Sequence, residues 1–217
     1  MARAAASEAQ LRRELVDTCR QLAERDLIGA GEGNVSCRLG QDRLLVTPAG
    51  ASKGSLRTGD LVVVELANGK ARRGGRASSE LPMHLAAYAS RPDAQAVVHA
   101  HPITAIALTV AGVAPPNDLL PEAAVVLGEV AVARFATPGT DEVPRAIFPF
   151  LARHDVILLE RHGALALGRT LREALDRMET LERVSRIAVF SRLLGRAEPL
   201  SKDAIAKVLQ AAAMERQ

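Results

Sequence analysis

Two histidines separated by one residue lie in an apolar segment, residues 96–102. In a buried strand alternate side chains point to the same face, so His99 and His101 are predicted to face one side together. Two imidazoles placed in this way can hold one divalent metal ion. Taken alone, the pair is equally consistent with two core histidines that hydrogen-bond to each other or to the backbone.

Two further residues supply donors of the kind that a metal site needs. His162 follows a short apolar segment, residues 156–159, and loops at strand ends commonly carry ligands. Glu80 lies at a predicted helix start, where an ordinary first-turn acid would also complement the helix dipole. With His99 and His101, these residues predict one metal ion held by three imidazoles, with a carboxylate beside it.

The segment around Glu80 also predicts an anion site. Ser78 and Ser79 stand in capping position, and a proline falls in the first turn of the helix. Backbone amides at a helix N-terminus, together with the two hydroxyl groups, can hold a phosphate or a carboxylate group. Two loops of small residues, 29–34 and 48–54, precede this segment, and each taken alone is an ordinary turn signal.

Composition argues against several classes of function. The chain has 217 residues and a formal net charge of +3, and its basic side chains are scattered among acids. Aromatic residues make up only 2% of the chain, which leaves few platforms for stacked bases, so we do not infer nucleic-acid binding. The two cysteines, Cys19 and Cys37, lack a paired spacing. Residues 1–10 lack an apolar signal core and no run is long enough to span a bilayer, so a cytoplasmic protein is expected, with no membrane partner.

Hydrophobic periodicity predicts an α/β chain that forms one domain over residues 1–217. Ser7 is placed to cap a first helix that continues to Gly29, and a capping box at residues 170–173 opens a long helix. Short strands are predicted at residues 43–47, 61–66, 96–101, 129–134 and 156–159. Further helical segments are predicted at residues 80–91, 103–112 and 201–214.

Two more titratable residues need an interpretation. His84 lies one helical turn beyond Glu80 and away from the end of the strand, so we predict a packed, hydrogen-bonded histidine and not a fourth metal ligand. Glu122 is a carboxylate in the otherwise apolar stretch 119–127, directly after Pro121. It is either a first-turn helix acid or a functional group, and the local sequence favours neither.

Taken together, these segments resemble the class II (zinc-dependent) aldolase and adducin head-domain family. The matching segments occur in the family's order over nearly the whole chain: Gly33-Asn34-Val35-Ser36-Cys37-Arg38, Thr47-Pro48-Ala49-Gly50, Ser78-Ser79-Glu80 with His84, Arg91-Pro92-Asp93, His99-Ala100-His101-Pro102 and His162-Gly163. The resemblance implies a three-layer α/β/α fold with a central, mainly antiparallel sheet. It also implies a homotetramer with active sites between subunits.

The resemblance further implies the roles of the site residues. His99, His101 and His162 would bind Zn²⁺, or another divalent ion such as Mn²⁺ or Co²⁺, and Glu80 would be the acid/base residue. The implied enzyme is a lyase that cleaves or forms a C–C bond in a small hydroxy-carbonyl substrate, such as a sugar or a sugar phosphate. The ion would polarise the carbonyl and stabilise an enediolate, while Glu80 moves the proton on the adjacent carbon.

The substrate loops depart from the family's pattern. Sugar-phosphate aldolases of this type carry Gly-Thr-Ser-Gly-Asn and Thr-Pro-Ser-Gly, whose hydroxyl and amide groups hold the phosphate. Here Gly31, Glu32 and Ala49 stand in place of the three hydroxyl residues, and a glutamate beside a dianion repels it unless the side chain turns away or is paired. The anion contacts that remain are Asn34, Gly50, Lys53, Ser78 and Ser79.

A second departure concerns the proton donor. One aldolase branch of the family uses a tyrosine, and its place is held here by Glu122. We therefore expect Glu122 to be a second acid/base residue, which suits an aldolase with altered chemistry, a sugar-phosphate dehydratase or a decarboxylase. The other class left open is a non-catalytic interaction domain, as in adducin heads. The retained imidazoles and the carboxylate favour an enzyme.

Overall fold

Six α-helices and eight strands make up the fold in the computed structural model, which describes residues 6–214. The helices are α1 (Glu8–Glu24), α2 (Leu81–Ser90), α3 (Ile103–Val110), α4 (Glu142–Leu151), α5 (Leu171–Leu193) and α6 (Lys202–Met214). The strands are β1 (Asn34–Leu39), β2 (Arg43–Val46), β3 (Val62–Glu65), β4 (Ala71–Arg73), β5 (Ala96–Ala100), β6 (Ala131–Ala133), β7 (Val156–Leu159) and β8 (Gly163–Gly168).

Capping residues begin the first helix and the long helix, as predicted. The hydroxyl group of Ser7 accepts a hydrogen bond from the N–H of Gln10 at 3.2 Å. That of Thr170 accepts from the N–H of Glu173 at 3.0 Å. Helix α1 ends before Gly29, because Asp26 adopts a φ of 55°, which an α-helix does not allow.

The strands form one sheet in the order β4-β3-β2-β1-β5-β8-β7-β6. Strands β6 and β7 are parallel, and every other neighbouring pair is antiparallel. The prediction of a mainly antiparallel sheet is therefore confirmed. Strand β5 lies between β1 and β8, so the backbone of His99 is fixed from both sides, with Asn34 opposite on one strand and Leu165 on the other.

Helices cover both faces of the sheet, which confirms the predicted three-layer α/β/α fold. Buried side chains from α1, α3 and α5 form one apolar core with the first face. Buried side chains from α2 and α4 form a second core with the opposite face. Because both faces are buried, the central strands carry continuous runs of apolar residues. A strand with one solvent-exposed face would alternate apolar and polar residues.

Alternate residues of β5 contribute to different cores. Val98 and Ala100 belong to the core under α1, α3 and α5, whereas Val97 belongs to the core under α2 and α4. His99 follows the period of two, so its fully buried ring lies on the same face as Val97. His101 comes just after the strand ends, at the mouth of this second core.

The segment between α3 and β7 is less regular than predicted. Glu122 precedes a π-helical turn, Ala123–Leu127, which ends at Gly128 with a φ of 63°. The predicted strand 129–134 is shorter, Ala131–Ala133, and occupies the sheet edge. No helix within residues 6–214 has both the length and the apolar character needed to span a membrane. One domain over residues 1–217 stays a prediction, and the ends of that range lie outside the described residues.

Candidate metal centre and active site

Three imidazoles meet at one end of the sheet. Each of His99, His101 and His162 offers one ring nitrogen, and these atoms lie within 4.8 Å of one another. The Nε2 atoms of His99 and His101 are 3.2 Å apart, so both face a common point. The ring centroids are 4.9–5.2 Å apart. The predicted convergence of these residues, far apart in sequence, is thus present in the fold.

Different elements bring these rings together. His99 lies on β5, and the backbone of His101 is held by a 2.8 Å hydrogen bond from its N–H to the carbonyl of Leu27. His162 lies in the turn between β7 and β8 and donates its N–H to Leu159 at 3.0 Å. The residue before it, Arg161, adopts a left-handed φ of 58°. Such a turn redirects the chain within a few residues, which brings His162 back over the sheet.

Helix α3 connects two of the histidine segments. It begins just after His101, and the hydroxyl group of its Thr109 accepts a 3.0 Å hydrogen bond from the N–H of Arg161. Glu182, on α5, caps the N-terminus of α3, beside His101, by accepting from the N–H groups of Thr104 and Ala105 at 2.9 and 3.2 Å. The helix therefore ties the His101 turn to the His162 turn.

A glycine is required where the His162 turn meets β5. A Cβ atom on Gly163 would lie 2.5 Å from the carbonyl oxygen of Ala100 and 2.8 Å from a ring carbon of His101. Real Cβ atoms do not approach backbone oxygen so closely, so a side chain here would push the two histidine segments apart. Close packing against Ala100 and His101 thus explains why glycine follows His162.

Hydrogen bonding indicates which nitrogen of His99 faces the centre. Nδ1 lies 3.0 Å from the carbonyl oxygen of Ala164, which can only accept, so Nδ1 carries the proton. Nε2 then points to the common centre, and in the neutral ring it is the nitrogen with a free lone pair for a cation. A backbone carbonyl on the outer nitrogen is a usual way to fix the tautomer of a metal-binding histidine.

Glu80 lies against the same centre. It is the N-cap residue of α2, and its Oε2 is 3.3 Å from Nε2 of His99 while its Oε1 is 3.2 Å from Nε2 of His162. Oε1 is buried and has no hydrogen-bond partner of good geometry among residues 6–214. Burial raises the pKa of this carboxyl group, but His162, His99 and Asn34 lower it more, so the pKa lies well below its usual value.

A buried polar chain extends from Glu80 into the second core. Asn34 donates from Nδ2 to Oε2 of Glu80 at 2.7 Å, and its Oδ1 contacts Nε2 of His84. Nδ1 of His84 is 2.7 Å from the hydroxyl oxygen of Ser36, which is 2.9 Å from that of Tyr88. His84 is packed and hydrogen-bonded, as predicted, and it is not part of the metal-binding cluster. Sequence reasoning missed the links through Ser36 and Tyr88, although both lie in or beside the matching segments.

A cavity of about 280 Å³ opens at this centre and is lined there by His101, His162 and Glu80. All five residues predicted as anion contacts line it: Asn34, Gly50, Lys53, Ser78 and Ser79. A Cβ atom built on Gly31 would meet nothing within 4 Å, so the side chain missing at this position leaves open space. Pro138 and Gly139 also line the cavity. Proline followed by glycine is typical of a turn, but nothing in the local sequence indicates that this turn reaches the site.

Lys53 is the positive group of this cavity. Its side chain is only 3% exposed, and Nζ donates to the carbonyl oxygen of Gly31 at 3.0 Å. Burial lowers the pKa of this ammonium group. An ammonium group has three donors, so Lys53 retains hydrogen-bonding capacity toward an anion in the cavity.

The two other carboxylates singled out in the sequence lie in different places. Glu32 lines the cavity but is turned back toward its own loop, where Oε2 accepts from the N–H of Gly29 at 2.8 Å and lies 3.5 Å from Nδ1 of His101. Glu122 is exposed and does not line the cavity formed by residues 6–214 of its own chain.

Comparison with known proteins gives consistent matches over most of the chain. A family model described as the class II aldolase and adducin N-terminal domain matches residues 13–189. L-fuculose phosphate aldolase of Escherichia coli strain K12 is 33% identical over 93% of this chain and 93% of that protein. 3-Oxo-tetronate 4-phosphate decarboxylase of Haemophilus influenzae is 30% identical over 80% of this chain and 84% of that protein. The crystal structure of YgbL from Klebsiella pneumoniae superposes with a TM-score of 0.87 at 31% identity, over 94% of this chain and all of that one.

Proposed function

Because the chain belongs to the class II aldolase and adducin N-terminal domain family, we propose that it is a divalent-metal-dependent lyase. Its reaction would break or form a C–C bond in a small hydroxy-carbonyl substrate of the sugar or sugar-phosphate type. The observation that carries the proposal is the meeting of three imidazoles and the partly buried carboxylate of Glu80 beside a cavity that His101, His162 and Glu80 line. A purely structural domain has no need for such a cluster.

The residues present fit a bound divalent ion. Three neutral imidazoles facing one point are a donor set that suits Zn²⁺, and they leave coordination positions for a substrate. Mn²⁺ and Co²⁺ are alternatives with the same ligands. The unpaired, buried Oε1 of Glu80 also fits, because a buried carboxylate oxygen without a partner is costly unless a cation or a substrate group satisfies it. The ion would act as a Lewis acid that polarises the substrate carbonyl.

Glu80 is proposed to move the proton. Its Oε2 is held by Asn34, whereas its Oε1 lies 3.2 Å from Nε2 of His162 with no hydrogen bond of good geometry within residues 6–214, so Oε1 is the atom available to a substrate carbon or hydroxyl. In the aldol direction Oε1 takes the proton from the carbon beside the carbonyl, and in cleavage it returns one. The position at the N-terminus of α2, together with the neighbouring imidazoles, keeps the carboxylate ionised in the resting protein.

The opposite end of the cavity is proposed to hold the remote, anionic part of the substrate. Ser78, Ser79 and Lys53 contribute hydroxyl and ammonium groups, and the backbone at Gly50 allows close approach. Asn34 is a shared residue, because it lines the cavity while its amide group holds Glu80. The proposed contacts are fewer than in the sugar-phosphate aldolases that the chain resembles.

A role for Glu122 requires a second copy of the chain. Its carboxylate is outside the cavity of its own subunit, so we propose that it acts as a second acid/base residue only across a subunit interface. The proposed homotetramer is supported by exposed aromatic side chains, since Phe135, Phe148 and Phe190 are each more than half exposed. A cytoplasmic location is part of the proposal, supported by the free, buried thiols of Cys19 and Cys37. The mass of the protein in solution tests the assembly.

A decarboxylase is the second candidate function. The relatives named 3-oxo-tetronate 4-phosphate decarboxylase match more than four-fifths of their own length, and decarboxylation also breaks a C–C bond beside a carbonyl group. A sugar-phosphate dehydratase would use the same metal and Glu80. The non-catalytic alternative, as in adducin heads, offers no reason for the metal-binding cluster.

The test is a substrate screen with metal-loaded protein. Phosphorylated and unphosphorylated ketoses, aldonates and 3-oxo acids are offered to the wild type and to Glu80→Gln, with Glu65→Gln, a partly exposed carboxylate outside the cavity, as the matched control. We expect turnover of one class by the wild type and by Glu65→Gln, and a loss of roughly 10²–10⁴-fold in Glu80→Gln with the metal retained. Absence of both bound metal and turnover in the wild type would favour the interaction domain, and unfolding of Glu80→Gln would make Glu80 a structural acid.

A further inference from the structure

The three imidazoles differ in what lies behind them. Nδ1 of His99 faces the carbonyl oxygen of Ala164, and no carboxylate of residues 6–214 contacts that nitrogen. His101 presents Nε2 to the centre, so Nδ1 is its outer nitrogen. The carboxylate of Glu32 is the acidic group in ion-pair contact with this outer nitrogen within residues 6–214, with Oε2 at 3.5 Å.

Glu32 is directed to this position by its own loop. Its Oε2 accepts a 2.8 Å hydrogen bond from the N–H of Gly29. A Cβ atom on Gly29 would lie 2.8 Å from the same oxygen, so a side chain at this position would push the end of the Glu32 side chain away from this backbone amide. The side chain is thus folded back along residues 29–32, toward Gly29 and His101.

We propose that Glu32 is a positioning residue for the metal centre, which holds His101 through its outer nitrogen. This inference rests on the proposed function, because it assumes that His101 binds an ion. A carboxylate behind a histidine fixes the tautomer with the proton on Nδ1, orients the ring and makes Nε2 a stronger donor to a cation. The 3.5 Å separation is longer than the 2.7–2.9 Å usual for a charge-assisted hydrogen bond, and a shift of about 1 Å closes it.

This assignment accounts for an acidic residue in a loop where the family resemblance implies a phosphate contact. A carboxylate engaged by Gly29 and His101 contributes less negative charge to the remote end of the cavity than a free one. The glutamate at this position would then orient the metal ligand His101 and would not bind the anionic part of the substrate. The side chain of Glu32 is 51% exposed, so its effect on metal affinity is expected at the low end of the range known for carboxylates behind a metal-binding histidine.

The experiment measures affinity for the metal alone, in the folded full-length chain. Purified apoprotein is titrated with Co²⁺ or Zn²⁺ against a chelator for the wild type, Glu32→Ala, Glu32→Gln and His101→Ala. Glu24→Gln, which removes a similarly exposed acid from α1, is the control for net charge. Circular dichroism verifies that each variant is folded, and the visible spectrum of bound Co²⁺ reports the geometry of the centre.

We expect Glu32→Ala to bind metal roughly tenfold more weakly, the low end of the 10–100-fold typical of such partners, and to change the Co²⁺ spectrum. Glu32→Gln should fall between it and the wild type, because an amide oxygen still accepts from Nδ1–H. Wild-type affinity and spectrum in Glu32→Ala would overturn the proposal. So would losses in both Glu32 variants as large as that of His101→Ala, since Glu32 would then be a direct ligand. If the wild type itself bound no metal, the proposed function would fail instead.

Discussion

Asn34 donates from its side-chain nitrogen to Oε2 of Glu80 across 2.7 Å. The amide oxygen is therefore the atom that faces Nε2 of His84, and it can only accept, so His84 carries its proton on Nε2. Nδ1 of His84 must then accept from the hydroxyl group of Ser36. Each donor in this series of hydrogen bonds faces one acceptor. That pairing requires a neutral His84, because a protonated Nδ1 could not accept from Ser36.

The requirement for a neutral His84 predicts a loss of stability in acid. Burial lowers the pKa of His84 to about 3, whereas in the unfolded chain it is about 6.5. Between these values the unfolded chain binds more protons, so the free energy of unfolding decreases as the pH falls below about 6.5. At pH 5, protonation of His84 in the unfolded chain lowers the free energy of unfolding by roughly 2 kcal/mol relative to pH 7.

The matching experiment compares melting temperatures of apoprotein at pH 7 and pH 5. His84→Gln keeps a donor and an acceptor but cannot be protonated, so its melting temperature should fall less between the two values than that of the wild type. The other titrating groups are common to both proteins and cancel in the comparison. Equal decreases would show that His84 does not control acid stability.

Removal of one imidazole should abolish tight metal binding. His99→Ala takes away the fully buried ligand on the central strand, and we expect the loss in affinity to exceed about 100-fold, beyond the effect of an outer partner. His154→Ala is the matched control, because His154 is partly exposed and lies outside the three-histidine cluster, with its ring hydrogen-bonded to the carbonyl oxygen of Glu129. Metal content after dialysis decides the point. Equal retention by both variants would place the ion elsewhere.

Thr109 should influence the metal centre without touching it. Thr109→Val is nearly isosteric but leaves the N–H of Arg161 without its 3.0 Å partner, which frees the turn that carries His162. We expect the unfolding free energy to drop by about 1–2 kcal/mol and metal affinity to weaken several-fold. Chemical denaturation and chelator competition measure the two effects. A variant that is destabilised but binds metal normally would limit Thr109 to a structural role.

Lys53 should control the affinity of the cavity for anions. Lys53→Met keeps the length of the side chain and removes the ammonium group, so binding of inorganic phosphate to metal-loaded protein should weaken about tenfold. The buried charge is costly, as the lowered pKa of Lys53 indicates, so folding stability should not fall. Calorimetric titration with phosphate measures the affinity, with exposed Lys70→Met as the control. Unchanged phosphate affinity in Lys53→Met would show that Lys53 has only a structural role.

Several features of the fold follow from local sequence. The period of two over residues 96–101 placed both histidines on one face, and the capping residues Ser7 and Thr170 marked helix starts correctly. The order of the matching segments predicted the three layers and the antiparallel sheet. Less of the stretch 119–134 could be predicted, because its π-helical turn and its short edge strand depend on neighbouring elements rather than on periodicity.

The sequence by itself determined which residues could do chemistry: His99, His101, His162 and Glu80. Only the tertiary structure decided what each of the remaining polar side chains does. It directs Glu32 back to Gly29 and His101, buries Lys53 beside the cavity, and leaves Glu122 outside the cavity of its own chain. The reason is physical: periodicity specifies the face on which a side chain starts, but its direction is settled by hydrogen bonds and packing between segments far apart in the chain.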